Sequence, residues 1–274
     1  MKYIKNNSKE YVRNQQEEYV RTQRIKRRAI ISVRFFILLF FLIQWELTAQ
    51  YGIIDSFFFS SPGRIIKTII KLSLNYSLFR NIAVTLLETL VSFFLVIVLG
   101  LLSAMALWLK PCISDVLEPY LVVLNSLPKS ALAPLFIVWL GANVKTIIVA
   151  GISVAIFGSI ISLYTGFSST DEDKIKLIYT LGGNKRDVFF KVVFPSNIPT
   201  IISTMKVNIG LALVGVVIGE FLAARAGLGY LIIYGSQVFQ LDLVLMSIVI
   251  LCSIAMLLYG VISILEKKYR KINN

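Results

Sequence analysis

Three stretches of this chain run for 20 residues or more without a charged side chain: 90–109, 146–167 and 243–265. Wound as a helix, about 20 residues cross the roughly 30 Å hydrocarbon core of a bilayer. A single segment in any other conformation would leave peptide groups there without hydrogen-bond partners. The runs therefore predict membrane-crossing helices. Composition agrees, since 57% of the 274 residues are hydrophobic and 16% charged, against about 25% charged in ordinary soluble domains. Six spans account for the apolar sequence: about 29–48, 81–108, 119–140, 146–167, 198–222 and 243–265. Pro128, Lys129 and Pro134 in the third predict a kinked or broken helix. The expected fold class is an all-α membrane protein of about six transmembrane helices.

Several chemistries are excluded. The chain has no histidine, which removes histidine triads, proton relays and metal ligands. It has no G-x-x-x-x-G-K-[ST] sequence, so the loop that cradles nucleotide phosphates is missing. Cys112 and Cys252 lie far apart in or beside apolar runs and read as buried free thiols. No metal, cofactor or catalytic residue is expected. The net charge of +13 could suggest nucleic acid, but the cations lie in short segments beside apolar runs. There they orient spans in the lipid bilayer, and no nucleic-acid partner is expected.

Six spans put both termini on one side. The segments on that side hold 19 Lys and Arg and the opposite segments six, so the positive-inside rule places both termini and the 168–197 loop in the cytoplasm. The expected organisation is a cytoplasmic basic tail (1–28), a first span with an extracytoplasmic segment (29–80, with a turn at 60–63), a five-helix core containing the 168–197 loop (81–265), and a second basic tail (266–274).

The 168–197 loop has its own pattern. Acidic residues from Asp171 start a helix at the end its dipole favours. Ile175, Ile178 and Leu181 recur on one stripe, and Gly182 and Gly183 stop the helix. Asn184 caps a second helix through Val188, Phe189, Val192 and Val193, which Pro195 and Pro199 end. Helices this short need something to pack against: membrane surface, neighbouring spans or a partner.

Leu181-Gly182 followed by Val188-Phe189-Phe190-Lys191-Val192-Val193-Phe194-Pro195 resembles the "EAA" loop of binding-protein-dependent ABC importer permeases. Gly182 stands at the motif glycine and Pro195 at the closing proline, while Lys176-Leu177-Ile178 replaces the Glu-Ala-Ala triplet. Two further stretches resemble the nitrate/sulfonate/taurine subfamily: 126–141, with Ser126-Leu127-Pro128-Lys129, and Gly219-Glu220-Phe221 with Gly227-Leu228-Gly229-Tyr230. The likeness covers about residues 80–268.

The resemblance implies the type I importer permease fold in a bacterial cell membrane. Its partners would be a soluble ABC ATPase, an extracytoplasmic substrate-binding protein and a second permease copy, most simply identical. The solute would be small and anionic, of the sulfonate, nitrate or taurine kind. The loop would couple to the ATPase through Ile175, Ile178, Thr180, Leu181, Gly182, Gly183, Asp187, Phe189, Val192 and Pro195. Glu88, Lys129, Lys206 and Glu220 are ionisable residues in or near spans, where each costs about 2.5–3.5 kcal/mol on insertion scales. Each lines a path or gate, closes a structural ion pair or snorkels to the interface. Lys129, flanked by prolines, is the candidate for meeting an anion, and Glu220 for a gate or subunit interface. The rival readings are a secondary transporter or channel, for which no internal repeat is found, and a membrane protein without a transport role.

Overall fold

The computed structural model describes residues 2–273, which are helical with short connections. The chain divides into two compact units after Arg64. In the first, α1 (Lys2–Gln50) is one helix whose apolar part is Ser32–Gln50. The helix thus continues back through the basic segment predicted as a tail. A short α2 (Ser56–Phe59) follows. Glu46 near the end of α1 accepts from the Gly63 backbone N–H at 2.8 Å. Helix α3 (Pro62–Leu74) begins at the sequence predicted only as a turn. Proline suits the first helical position because the N–H it lacks has no partner there anyway.

The second unit begins with α4 (Ser77–Leu109), α5 (Pro111–Ser126), α6 (Lys129–Leu140) and α7 (Val144–Ser168). Next come α8 (Glu172–Thr180), α9 (Lys185–Val188), a π-helical turn at Phe189–Val193 and α10 (Phe194–Ser196). It finishes with α11 (Ile198–Ala223), α12 (Leu228–Gln237) and α13 (Leu241–Asn273). Small residues allow its central helices to approach closely, as membrane helix pairs require. A methyl group built on Gly100 would lie 2.8 Å from the Ser159 hydroxyl, and one on Gly151 2.6 Å from that of Ser92. Position 92 of α4 thus faces 151 of α7 and position 100 faces 159, so α4 and α7 run parallel. Helix α11 runs antiparallel to α7: Ser162 meets Thr204 at 3.1 Å, Asn208 donates to Ser159 at 2.8 Å, and Gly215 lies against Gly151.

The parallel pairing decides how many crossings the chain makes. Helices α5 and α6 meet at 95°, a geometry that suits either a broken span or a re-entrant loop. Since α4 and α7 point the same way, the segment between them must carry the chain from one end of the bundle to the other. It is a broken span, and with α1 the chain has six apolar passes. The break falls at Leu127, held extended at φ −64°, ψ 140° by the proline after it. Pro134, also predicted to disturb this span, sits inside α6 without breaking it.

Both cysteines are exposed, which corrects the expectation of buried thiols. Cys252 lies on α13, whose apolar segment is little covered by the rest of the chain. In a bilayer the apolar side of a helix needs no protein cover, so burial does not follow from hydrophobicity as it does in water.

Candidate functional site: a seated hairpin and a carboxylate latch

Two constructions stand at opposite ends of the α4–α7–α11 bundle. The first is the hairpin α8–α9. Asp171 caps α8 by accepting from the Asp173 N–H at 3.0 Å. At the other end of α8, Gly182 takes φ +80°, where its N–H reaches the Tyr179 carbonyl and that of Gly183 reaches Ile178. This pair of bonds satisfies the last carbonyls of the helix and reverses the chain. Asn184 caps α9 by accepting from Arg186 and Asp187, and the Asp187 carboxylate accepts from the Asn184 N–H at 3.0 Å.

The hairpin is seated on the bundle through aromatic packing. Phe189 is 1% exposed and contacts Phe167 of α7 edge-on at 5.3 Å, with Trp108 of α4 at 5.5 Å. Val188 and Val193 are buried beside it, and Ile175 and Ile178 pack against the same cluster. Leu181 does not join them. It is 74% exposed, as is Leu177 at 58%, and the two lie four residues apart on the outward side. The stripe predicted to run through Leu181 therefore ends at Ile178, because each three-residue step falls about 60° short of a full helical turn and brings Leu181 round to the side of Leu177. Thr180 is exposed, its hydroxyl spent on the Lys176 and Leu177 carbonyls, while Val192 is half-buried and Pro195 exposed. Nor do the prolines end the second helix. Pro195 and Pro199 occupy first-turn positions of α10 and α11, where no N–H is needed, and the chain stays helical through the π turn.

The Asp187 carboxyl is held below the usual carboxylate range by the Asn184 N–H and by Lys191, whose ammonium lies 2.9 Å away. A carboxylate with a lowered folded value contributes stability above its ordinary range, and that contribution is lost as pH falls through the lowered value. Amide exchange at 186–191, corrected for intrinsic rates, is therefore expected to quicken as the medium turns acid. The Asp187→Asn variant should exchange faster at neutral pH and lose this pH response.

The second construction closes the far end of the bundle. Glu220 of α11 is 1% exposed and Glu88 of α4 is 2% exposed. Glu220 accepts from the Thr85 hydroxyl at 2.7 Å and from the Gly229 N–H at 2.5 Å, and also from the Tyr230 N–H. It therefore caps the N-terminus of α12, where carboxylates are favoured. Thr85 accepts in turn from the Leu228 N–H at 2.8 Å, and Asn81 from the Gly227 N–H at 2.7 Å. Gly227 takes φ +119°, and a methyl group on it or on Gly229 would run into the Glu220 carboxylate. The glycines of Gly227-Leu228-Gly229 are explained by this carboxylate. The Glu88 carboxyl hydrogen-bonds that of Glu220, while its other oxygen has no partner among the described residues.

The two lysines singled out in or near the spans, Lys129 and Lys206, have structural partners. The Lys206 ammonium pairs with Glu266 of α13 and lies 5.6 Å from the Tyr259 ring centre. That of Lys129, expected to meet an anion, bonds the Leu124 carbonyl at 3.0 Å and the Asn125 carbonyl. It thereby covers the C-terminal carbonyls that the break leaves open. Asn81, Thr85, Trp108 and Phe167 escaped sequence reasoning. No local pattern marks them, because their partners lie up to 146 residues away.

A bundle of membrane-crossing helices carrying a helical hairpin on one end is the build of a membrane permease. The chain belongs to the family of binding-protein-dependent transport system inner membrane components, which it matches over residues 96–271. It is 30% identical to a probable ABC transporter permease protein of Haemophilus influenzae, over 80% of this chain and 88% of that one. The formylaminopyrimidine transport permease protein ThiX of Halalkalibacterium halodurans is also 30% identical, over 74% and 80%. The taurine transport system permease protein TauC of Escherichia coli is 24% identical, over 79% and 81%. The MetNI methionine ABC transporter in an inward-facing conformation shares the fold, with a TM-score of 0.62 at 16% identity over 72% of this chain and 97% of that chain. The chain is an ABC importer permease, a multi-pass transport subunit of the membrane.

Proposed function

We propose that a dimer of this permease forms the path of an ATP-driven importer, and that the hairpin at 171–195 is the joint through which a separate ATPase subunit moves it. The observation that carries this reading is the two-sidedness of the hairpin. Phe189, Val188 and Val193 fix it to α4 and α7, while Leu177 and Leu181 stand exposed on its outer side. A groove on a soluble partner would take such a ridge as it takes other short apolar helices. A push on the hairpin reaches two spans at once, so a rigid movement of the ATPase becomes a tilt of helices. The ATPase would supply the nucleotide chemistry.

The excess of Lys and Arg in the terminal segments and the hairpin loop supports a cytoplasmic position for both termini and the hairpin. The latch end then faces outward, where a binding protein would deliver a small anionic solute. The likeness to the taurine permease supports that class. The domain reading is a basic cytoplasmic segment (1–28), a first span and extracytoplasmic segment (29–80), a permease core (81–265) and a basic C-terminal segment (266–274).

Gly182→Asp tests the joint. A methyl group at Gly182 would have nothing within 4 Å, so the substitution meets only the left-handed backbone, a strain of about 1–2 kcal/mol that aspartate tolerates better than most residues. Membrane insertion and thermal stability should survive, while solute-stimulated ATP hydrolysis and uptake fall at least tenfold. Uptake at the normal rate in that variant would refute the joint.

A further inference from the structure

At the latch end, the first turn of α4 and the loop between α11 and α12 enclose a cleft of about 430 Å³, within the size range of small-ligand sites. Its walls include Tyr76, Ser77, Arg80, Asn81, Arg225 and Tyr230. Two features set it apart from an ordinary surface hollow. Arg80 and Arg225 both line it, and neither has a carboxylate at ion-pair distance among the described residues. The two buried carboxyls at this end, Glu88 and Glu220, bond one another, Thr85 and the start of α12 rather than either arginine. The backbones that carry the two arginines are also tied together. Asn81, next to Arg80, accepts from Gly227, two residues after Arg225, and Ala224 on the other side donates to the Glu220 carbonyl at 3.3 Å.

We propose that this cleft is an oxyanion site, in which Arg80 and Arg225 hold a carboxylate, sulfonate or phosphate group. A guanidinium presents planar pairs of N–H donors that match such oxygens two at a time, with its charge always present. Two unpaired cations on one cavity raise its potential, and an anion relieves their mutual repulsion. Because the latch fixes both backbones, only the side chains need to be ordered on binding, which keeps the entropic cost low. The Asn81 amide nitrogen is already committed to the Ser77 carbonyl at 2.8 Å, and the Tyr230 ring stacks on Tyr234, so the walls are held in place as well. The anion would arrive as free solute at the outer mouth or as the headgroup of an anionic lipid. The site deepens the proposed import of a small anion by naming where the permease first meets it.

The full chain, purified into nanodiscs of neutral phosphatidylcholine without an ATPase or binding protein, is titrated with methanesulfonate and with inorganic phosphate, read by calorimetry. Saturable binding of at least one of them is expected, about tenfold weaker in Arg80→Gln and in Arg225→Gln and lost in the double variant. Lys145→Gln, at the same end but outside the cleft, should bind like the wild type. Thermal unfolding should not shift in the arginine variants, because both guanidinium groups are exposed. A second set of discs contains phosphatidylglycerol. Competition by this lipid identifies the headgroup as occupant, and unchanged titration identifies the free solute, each within the proposal. Absence of saturable binding, or binding indifferent to both arginines, overturns it. So does a double variant that loses only binding-protein-dependent uptake, since the arginines would then be meeting a protein surface. None of these outcomes bears on the coupling joint, which Gly182→Asp tests separately.

Discussion

Phe189→Ala is expected to unseat the hairpin and to abolish coupled uptake while leaving the spans inserted. Removing a buried phenylalanine typically costs about 3–5 kcal/mol, the transfer loss plus the cavity left behind. Phe189 sits where α4, α7 and the π turn converge, against Trp108, Phe167, Phe190 and Phe194. The short α8 and α9 cannot persist alone, so the loss should appear as local opening. Limited proteolysis across 171–195 should accelerate by an order of magnitude or more, with thermal unfolding of the remaining bundle shifted far less. Phe189→Leu, which keeps most of the apolar volume, should restore much of the protection. If the alanine variant is as protease-resistant and as active as the wild type, the hairpin is held by something other than this aromatic cluster.

Glu220→Ala is expected to be the most damaging single change at the opposite end. It strips the acceptor from the Thr85 hydroxyl and from the Gly229 and Tyr230 N–H groups, all in a buried setting. Each buried donor left unsatisfied costs about 1–3 kcal/mol, so the sum reaches a large part of the stability of a typical domain. Glu220→Gln keeps one acceptor oxygen and should fall between alanine and wild type. Thermal unfolding in detergent should therefore rank wild type, glutamine and alanine in that order. An alanine variant indistinguishable from the wild type would mean that the α11–α12 loop is fastened elsewhere. The same variant would separate the backbones of Arg80 and Arg225, so anion binding at the cleft should weaken along with stability.

The spans were legible in the sequence because a bilayer imposes a one-dimensional rule: about 20 apolar residues per crossing, wherever the neighbours lie. The hairpin was legible for a similar reason. Caps at Asp171 and Asn184 and the stop at Gly182 are satisfied within a few residues of themselves. Legibility failed where a side chain's partner is remote. The sequence marks Lys129, Lys206, Glu88 and Glu220 as ionisable residues in an apolar setting, but not that two are lysines with structural partners and two form a buried carboxyl pair. Nor did it separate Leu181 from Ile175 and Ile178, since a run of three-residue spacings drifts around the helix and the sequence does not say where the supporting surface ends.

Local periodicity, capping and hydropathy thus determined the all-helical membrane class, the six apolar segments and the hairpin. They act between residues close in the chain, so they can be read along it. Only the tertiary structure decided that the bent third segment crosses rather than turns back and breaks at Leu127 rather than Pro134, that the hairpin is bolted to α4 and α7, and that two arginines far apart in sequence share one cleft. Those facts depend on which helices touch and in which direction they run, and in a membrane that is set by close packing of small residues and by long-range polar pairs.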